Sequence, residues 1–436
     1  MTQLQKTQSM LTWLAQSGAE GLENVRVQET SYGGLGVFLA TETPAINPSP
    51  APARSPPQRP LVLARVPARC CVTAEGALAR DVGRAARNVL PECADEFVLC
   101  LDVAAGRQDP AHPQHPYLAS LPAGGSQHAP TYPARLRRRL DGTELGAAAE
   151  KERAEVRAAT KALLPRLRAA RPDLFGDMAE ADVLWAREMV VTRAFQSSLL
   201  GGEPGGCGVL APLLDLRNHG ADAAEAYGFS DDFVHFAQAP QLPQVGDELL
   251  TNYGKKTNLA HMMSHGFALR DDARDVFRLR LGDDAVFDLR AAGPRQFPRA
   301  LWRALADDER AARGAAARAK DALRRPPRRW RRLGGAEAAA TEILYKILGC
   351  CAVSARPFDA TAADDARLAN ASLPSDAVDA RDVFVARYRH GQRRILDDAV
   401  RVLEAACRIP LEARRGGAKR WRLRRAQARR RFVKAG

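Results

Sequence analysis

The sequence predicts an α+β protein in which short strands come first, a long helical stretch interrupts them, and a mostly helical region follows. Short apolar runs at residues 25–28, 37–39 and 61–66 are typical of strands. Between about residues 78 and 184 the pattern becomes helical, with leucines on a charged background. Residues 297–402 are largely helical in pattern as well. Helices separated from strands in this way favour the α+β class.

Length and composition limit the class of protein. The chain has 436 residues and 46% hydrophobic content, enough for two domains with separate cores. No apolar run approaches the ~20 residues of a membrane helix, so we expect no membrane association. Residues 1–10 hold no apolar segment of a leader peptide. None of the eight cysteines has C-x-x-C spacing, so we expect reduced thiols, no metal site and a cytoplasmic or nuclear location.

The net charge of +14 is concentrated at one end of the chain. Residues 411–436 are rich in Arg and Lys and contain a single acidic residue, Glu412. The rest of the chain is close to balanced, so the charge describes an appendage and not the folded part. A tail of this kind suits a nuclear localisation signal, a solvated extension or a salt-dependent phosphate contact.

Residues 210–267 contain the two motifs on which the functional prediction depends. The first is an apolar run that ends in Asn218-His219, and the second is an apolar run over 248–252 that ends in Tyr253-Gly254. Two strands that each present polar residues at their end are a common way to build a pocket. Asn and His suit an amino-acid-like or adenine-bearing ligand, and Tyr253 offers a hydroxyl on a turn that Gly254 permits.

A glycine loop precedes the strand at 37–39. Gly33, Gly34 and Gly36 do not match the G-x-G-x-x-G spacing of a dinucleotide site. The glycines at 201–208 lack the Lys-Ser/Thr of a phosphate loop. Taken alone, the loop indicates no more than a hairpin turn.

Taken together, these segments resemble the SET-domain protein methyltransferases of the branch typified by Rubisco lysine methyltransferase. The paired motifs are DLRNHG at 215–220 and GDELLTNYGKKTN at 246–258, followed by Gly266-Phe267. Four further segments agree with the same family: LTWL at 11–14, PYLASLP at 116–122, WAREMVVTRAF at 185–195 and YRHGQRRIL at 388–396. The resemblance covers roughly residues 9–407 and is specific because both motifs occur in order.

The resemblance implies a domain organisation. The SET domain would span 9–272, with a helical insertion at about 78–184 and a Pro-rich loop at 43–60. A helical substrate-binding domain would span 273–410, and residues 411–436 would form a disordered basic tail.

The resemblance also implies S-adenosyl-L-methionine as cofactor and assigns the site residue by residue. The catalytic residue would be Tyr253, whose hydroxyl orients the acceptor amine. The cofactor would contact Gly34, Leu35, Gly36, Arg193, Asn218, His219 and Tyr253. The substrate would contact Phe195, Asp215 and Tyr227.

The predicted reaction is methyl transfer to a lysine of a protein substrate by a monomeric enzyme. The aromatic ring of Phe195 and the apolar Leu214 favour lysine, because its stem packs on apolar surface and its ammonium is attracted to a ring. A histidine acceptor would instead need an amide or hydroxyl to orient its imidazole. Three alternatives stay open here: a protein-histidine methyltransferase, an inactive scaffold and a nucleic-acid-binding role for the tail. Arg65, His265 and the Pro-rich insertion keep the scaffold alternative open.

Overall fold

The structure is a computed structural model that describes residues 1–42, 61–124, 127–223, 227–238, 244–281, 285–291, 293, 296–305, 313, 315–317, 319, 335–371, 373 and 379–406. The predicted Pro-rich loop at 43–60 and the basic tail at 411–436 lie outside these residues.

The N-terminal part consists of helix α1 (Gln3–Gln16) and a hairpin of β1 (Val25–Glu29) and β2 (Leu35–Leu39). The Thr2 hydroxyl accepts the Gln5 N–H at the start of α1, which satisfies one of the free N–H groups of the first turn. The hairpin turns through Gly33 and Gly34, whose φ angles of 94° and 79° are accessible to glycine. The predicted glycine turn and the strand that follows it are therefore present.

The region predicted to be helical follows strand β3 (Leu61–Pro67). Its helices are α2 (Ala74–Ala79), α3 (Asp81–Val89), α4 (Asp95–Gln108), α5 (His115–Ser120), α6 (Ala134–Leu140), α7 (Glu144–Ala170), α8 (Pro172–Phe175) and α9 (Glu180–Arg193). Helix α4 lies in the middle of this group, and its residues Val98, Leu99 and Leu101 are fully buried. Most of the group shares one hydrophobic core with β1, β2 and β3, whereas α6 and the start of α7 pack in a second cluster with Met262 and Tyr388.

A three-stranded antiparallel sheet is completed after the helices, in the order β3–β5–β4. Strand β4 spans Tyr227–Ser230 and β5 spans Phe233–Gln238. Val66 of β3 lies opposite Val234 of β5, and both are buried. Strands separated by more than 150 positions in the sequence thus form one sheet, which holds together the two ends of the helical region between them.

The segment over 248–252 is held between β2 and residues 218–220. Its Leu249 N–H donates to Val37 O at 2.7 Å, and its Thr251 N–H donates to Asn218 O at 2.9 Å. The prediction of a regular strand here is wrong in detail, because the chain changes partner after each bridge and no continuous ladder forms. Helix α10 (Asn258–Ser264) follows directly.

The C-terminal part has its own core. It begins with the hairpin β6 (Val276–Leu281) and β7 (Ala285–Arg290). The helices described after it are α11 (Arg299–Ala304), α12 (Gly335–Ser354), α13 (Arg356–Asp359), α14 (Ala362–Ala369) and α15 (Ala380–Ala406). The buried side chains of this core include Trp302, Ile343, Leu344, Ile347 and Leu348. The proposed boundary between residues 272 and 273 stays a prediction.

A buried ionic cluster joins the C-terminal helices to the helical insertion. The Arg389 guanidinium is 2% exposed and donates to Asp365 Oδ2 at 2.8 Å, to Thr361 Oγ1 and to the carbonyl oxygen of Arg139. Asp365 also accepts from Arg139 at 2.7 Å. Nearby, Tyr388 is buried and its hydroxyl oxygen accepts the Leu145 N–H.

Pro116 lies in the first turn of α5, although a sequence with prolines at 113 and 116 would also suit a loop. A proline is tolerated there because the N–H groups of the first turn have no partner within the helix. Among the described residues, no helix combines the length and apolar character needed to cross a membrane.

Candidate active site

The glycine turn and the Asn-His motif meet at the side chain of Asn218. Its Nδ2 donates to Leu35 O at 3.0 Å and to Glu248 Oε1 at 2.7 Å. Tyr32 donates its hydroxyl to the same Glu248 carboxylate at 2.6 Å. A β-carbon on Gly36 would lie 2.4 Å from Glu248 Oε1, so any larger residue would displace the Glu248 carboxylate from this position. The structure therefore brings together Leu35, Gly36 and Asn218 as the sequence predicted.

Gly34 lies at the rim of the same turn. A β-carbon there would have nothing within 4 Å, so the chain leaves open space beside the backbone. A backbone that is exposed at a turn and free of side chains offers N–H and C=O groups to a ligand.

Tyr253 is positioned by the residue that precedes the Asn-His pair. Its hydroxyl donates to Arg217 O at 2.5 Å. The Arg217 guanidinium is itself buried and donates to Leu250 O at 2.7 Å, which ties the two motifs together. Gly254 follows with a φ of 95°, which lets the chain turn away from the site. Burial raises the pKa of Tyr253 to about 12, so the hydroxyl keeps its proton at neutral pH.

His219 anchors a cluster of aromatic rings beside Tyr253. Its Nδ1 accepts the Tyr253 N–H at 3.1 Å, so the neutral ring carries its proton on Nε2. Burial lowers the pKa of His219 and keeps the ring neutral. The rings of His219, Tyr253, His261, His265 and Phe267 form this cluster, in which eight pairs of ring centroids lie 4.5–6.2 Å apart.

His265 lies closest to the Tyr253 ring in this cluster. The two ring centroids are 4.5 Å apart. Lys256 Nζ lies 2.6 Å from His265 Nε2, and burial lowers the pKa of that imidazole to about 3. A neutral imidazole that accepts from an ammonium is the state this geometry favours.

Arg193 ends α9 and is held by Asp215. Its Nη1 donates to Asp215 Oδ2 at 3.0 Å, and the Tyr117 hydroxyl donates to the same oxygen at 3.0 Å. The Asp215 side chain is 1% exposed, and burial raises the pKa of its carboxyl. The Asp215 side chain is thus engaged by Arg193 and Tyr117, and its predicted contact with a substrate stays a prediction.

Phe195 and Tyr227 come together as an aromatic pair. Their ring centroids are 5.2 Å apart in an edge-to-face arrangement. Phe195 follows α9 and is fixed by two backbone hydrogen bonds to Val209, of 2.8 and 3.0 Å. Tyr227 is 39% exposed, and Leu214 is buried. The two rings form an apolar wall that is open to solvent at the Tyr227 side.

Four residues that hydrogen bond to members of the predicted site or to one another are themselves absent from that prediction: Tyr32, Tyr117, Arg217 and Glu248. Arg217 and Glu248 lie inside the paired motifs, so their position next to Asn218 and Tyr253 was a usable signal. Tyr32 immediately precedes the glycine turn. Tyr117 lies 98 residues from Asp215, and no local pattern connects them.

Several buried polar atoms of the site have no hydrogen-bond partner within the described residues. They include Arg193 Nε, Asp215 Oδ1 and His219 Nε2. Such atoms cost free energy unless a ligand or water satisfies them. No group of three or more His, Cys, Asp or Glu side chains with metal-binding geometry occurs in the described part of the chain. The site therefore presents donors and acceptors suited to an organic polar ligand.

Comparisons with known proteins give both sequence relatives and structural neighbours. The chain is 29% identical over 168 residues to bovine N-lysine methyltransferase SETD6, which covers 37% of each protein. It is 28% identical over 100 residues to the ribosomal lysine N-methyltransferase set10 of Schizosaccharomyces pombe, or 18% of that protein. The chain thus matches well under half of the length of these relatives. No family profile matches it.

Solved structures match over nearly the whole chain. The SET domain of LSMT bound to lysine and AdoHcy has a TM-score of 0.67 at 18% identity, covering 92% of this chain and 91% of that one. Rubisco LSMT bound to AdoMet gives the same TM-score at 17% identity. The α+β prediction is confirmed. The chain has the SET-domain fold of the Rubisco LSMT structures, and the predicted resemblance to this branch of methyltransferases is confirmed.

Proposed function

We propose that this protein is an S-adenosylmethionine-dependent protein-lysine N-methyltransferase. The observation that carries the proposal is that both motifs converge on one place: the protonated Tyr253 hydroxyl donates to Arg217 O, and the adjacent Asn218 donates to Leu35 O. The SET-domain fold and relatives named as lysine methyltransferases support the same activity. An enzyme of this kind needs to align an amine with a methyl donor and exclude water.

The residues present fit S-adenosylmethionine. Its amino-acid end carries a carboxylate, which suits the unsatisfied Arg193 Nε donor. Its adenine carries ring nitrogens that accept, which suits the unsatisfied His219 Nε2 donor. The open backbone at Gly34 offers further contacts.

We assign cofactor binding to the residues predicted from the sequence: Gly34, Leu35, Gly36, Arg193, Asn218, His219 and Tyr253. When bound there, the cofactor would supply an electrophilic methyl group on a sulfonium.

The chain's own residues prepare the acceptor amine. Only the neutral amine can attack, and the buried Arg217 cation disfavours its protonated form. The Tyr253 hydroxyl uses its proton in the bond to Arg217 O, so its oxygen is oriented and its lone pairs are left to accept an N–H of the amine. Tyr253 is thus a positioning and hydrogen-bonding group and has no need to ionise.

The apolar wall of Phe195 and Tyr227 supports lysine as the acceptor. A four-carbon stem packs against the two rings, and its ammonium is attracted to their faces before it loses its proton. We propose that Asp215 acts on the substrate only through Arg193. The protein substrate would be selected by the C-terminal helices, and the enzyme would work as a monomer in the cytoplasm or nucleus.

Labelled-methyl transfer tests this proposal. The protein is incubated with methyl-labelled S-adenosylmethionine and candidate protein substrates, and the labelled amino acid is identified after hydrolysis. We expect methyl-lysine from the wild type and a loss of about a hundredfold or more in Tyr253→Phe. Tyr132→Phe is the matched control, because Tyr132 is a buried tyrosine outside the site whose hydroxyl contacts only Met262 Sδ at 4.0 Å among the bonds described.

The other outcomes are equally informative. Methyl-histidine as product would replace the lysine assignment with the histidine alternative. Full transfer by Tyr253→Phe would refute the role of Tyr253. Absence of cofactor binding by the folded wild type would favour an inactive scaffold.

A further inference from the structure

Tyr117 lies far from the paired motifs in the sequence, yet its hydroxyl reaches the candidate site. It belongs to α5, is 1% exposed and donates to Asp215 Oδ2 at 3.0 Å. Arg193 Nη1 donates to the same oxygen at 3.0 Å and approaches the Asp215 carbonyl oxygen at 3.4 Å. One carboxylate oxygen therefore receives a bond from each of two elements, α5 and the end of α9.

The hydrogen bonds that join Tyr117, Asp215 and Arg193 differ in geometry from those of an ordinary buried ion pair. Both bonds converge on Oδ2, while the buried Oδ1 and the buried Arg193 Nε have no hydrogen-bond partner within the described residues. A carboxylate held on one oxygen by two donors cannot rotate without breaking both bonds. The unsatisfied donor and acceptor are thereby kept in place, although leaving them unpaired costs free energy.

We propose that Tyr117 is a positioning residue that, through Asp215, holds Arg193 in the orientation needed to bind S-adenosylmethionine. This inference rests on the proposed function and adds to it a residue outside the predicted site. Tyr117 itself makes no contact with the ligand in this scheme. Its hydroxyl acts by fixing the carboxylate, and the carboxylate acts by fixing the guanidinium.

The charges around Asp215 predict how pH should reveal this role. The titratable groups that face it are Arg193 from α9, Tyr117 from α5, Cys71 ahead of α2, and Tyr253. Burial raises the pKa of Asp215, whereas Arg193 and the Tyr117 hydrogen bond lower it. Removing the Tyr117 hydroxyl therefore raises the pKa of Asp215 further, and the carboxylate that orients Arg193 is lost at a higher pH.

Titration calorimetry with S-adenosylmethionine on the full-length protein tests this inference. It is run at several pH values on the wild type, Tyr117→Phe, Asp215→Asn and the control Tyr132→Phe. We expect Tyr117→Phe to bind about five- to tenfold more weakly at neutral pH, with the acid-side loss of binding moved to higher pH. Asp215→Asn should bind more weakly still and lose the acid-side dependence, and Tyr132→Phe should match the wild type.

The contradicting results are separable. Wild-type binding with an unchanged affinity and pH profile in Tyr117→Phe would overturn the inference and leave the proposed function intact. No binding by the folded wild type would overturn the proposed function and this inference with it. An unfolded Tyr117→Phe protein, with Tyr132→Phe folded, would assign Tyr117 to the core alone and also overturn it.

Discussion

Replacing Gly36 by alanine should damage the candidate cofactor site more than it damages the fold. The added β-carbon would lie 2.4 Å from Glu248 Oε1, 2.8 Å from Thr30 Cγ2 and 3.1 Å from the Asn218 side-chain nitrogen. The first two distances are shorter than a normal contact, so the Glu248 carboxylate has to move. Its movement breaks the bonds that it accepts from Asn218 and Tyr32.

The size of the effect follows from these contacts. Inserting a methyl group into a packed position costs about 1–3 kcal/mol. The bond from Asn218 to a charged oxygen contributes about 1.5–3 kcal/mol where it is shielded from water, and less here because the site is partly exposed. We expect the melting temperature to fall by roughly 2–10 °C. We expect the dissociation constant for S-adenosylmethionine to rise at least about tenfold, because Asn218 loses its orientation.

The controls separate a local effect from a general loss of stability. Gly83→Ala creates a more severe clash in α3, with the backbone oxygen of Ala77 at 2.0 Å, and should lower the melting temperature without changing the affinity of the folded protein. Gly124→Ala meets nothing within 4 Å and should change neither. Calorimetric titration and thermal melting on the three variants give both quantities. Wild-type affinity in Gly36→Ala, or an equal loss of affinity in Gly83→Ala, would refute the reasoning.

Three further predictions address the stability of the fold and the role of the basic tail. Burial lowers the pKa of His261 to about 4, below the ~6.5 of an unfolded histidine. The buried neutral imidazole therefore contributes its full stabilisation above pH ~6.5, and this stabilisation is lost as the pH falls toward 4. His261→Phe should therefore show a smaller drop in melting temperature between pH 7 and 5 than the wild type, and an equal drop would contradict this. Arg389→Met leaves Asp365 without one of its buried partners and should cost about 3–5 kcal/mol by denaturant unfolding; a cost under about 1 kcal/mol would show that the cluster does not join the two parts. Deleting residues 411–436 should leave cofactor affinity within about twofold, and a tenfold loss would place the tail in the site.

The parts of the site that sequence predicts best are those set by local chemistry. Gly34 and Gly254 occupy backbone conformations that other residues rarely adopt, so their pattern is visible in the sequence. Asn218 and Tyr253 each close a motif of a few residues, and the chain brings them to one place because 249–251 is hydrogen bonded to both β2 and the Asn-His segment.

Long-range contacts are the parts that the sequence does not predict. Tyr117 approaches Asp215 because α5 packs against α1 and α4, and no periodicity within α5 indicates that partner. The helix itself is hidden by Pro116, whose restricted φ is compatible with a first helical turn as well as with a loop. The same dependence on distant contacts explains why residues 248–252 do not form the predicted regular strand, because the pairing of a strand depends on neighbours that are far away in the sequence.

The most direct test of the proposed site is a calorimetric titration of the full-length protein with S-adenosylmethionine, repeated on Asn218→Ala. Asn218 joins the glycine turn to Glu248 through two hydrogen bonds, so its loss removes the link between the two halves of the site. We predict saturable one-site binding by the wild type and an affinity at least about tenfold lower in Asn218→Ala. A folded wild type that does not bind, or an Asn218→Ala protein that binds equally well, would contradict the assignment of this site to the cofactor.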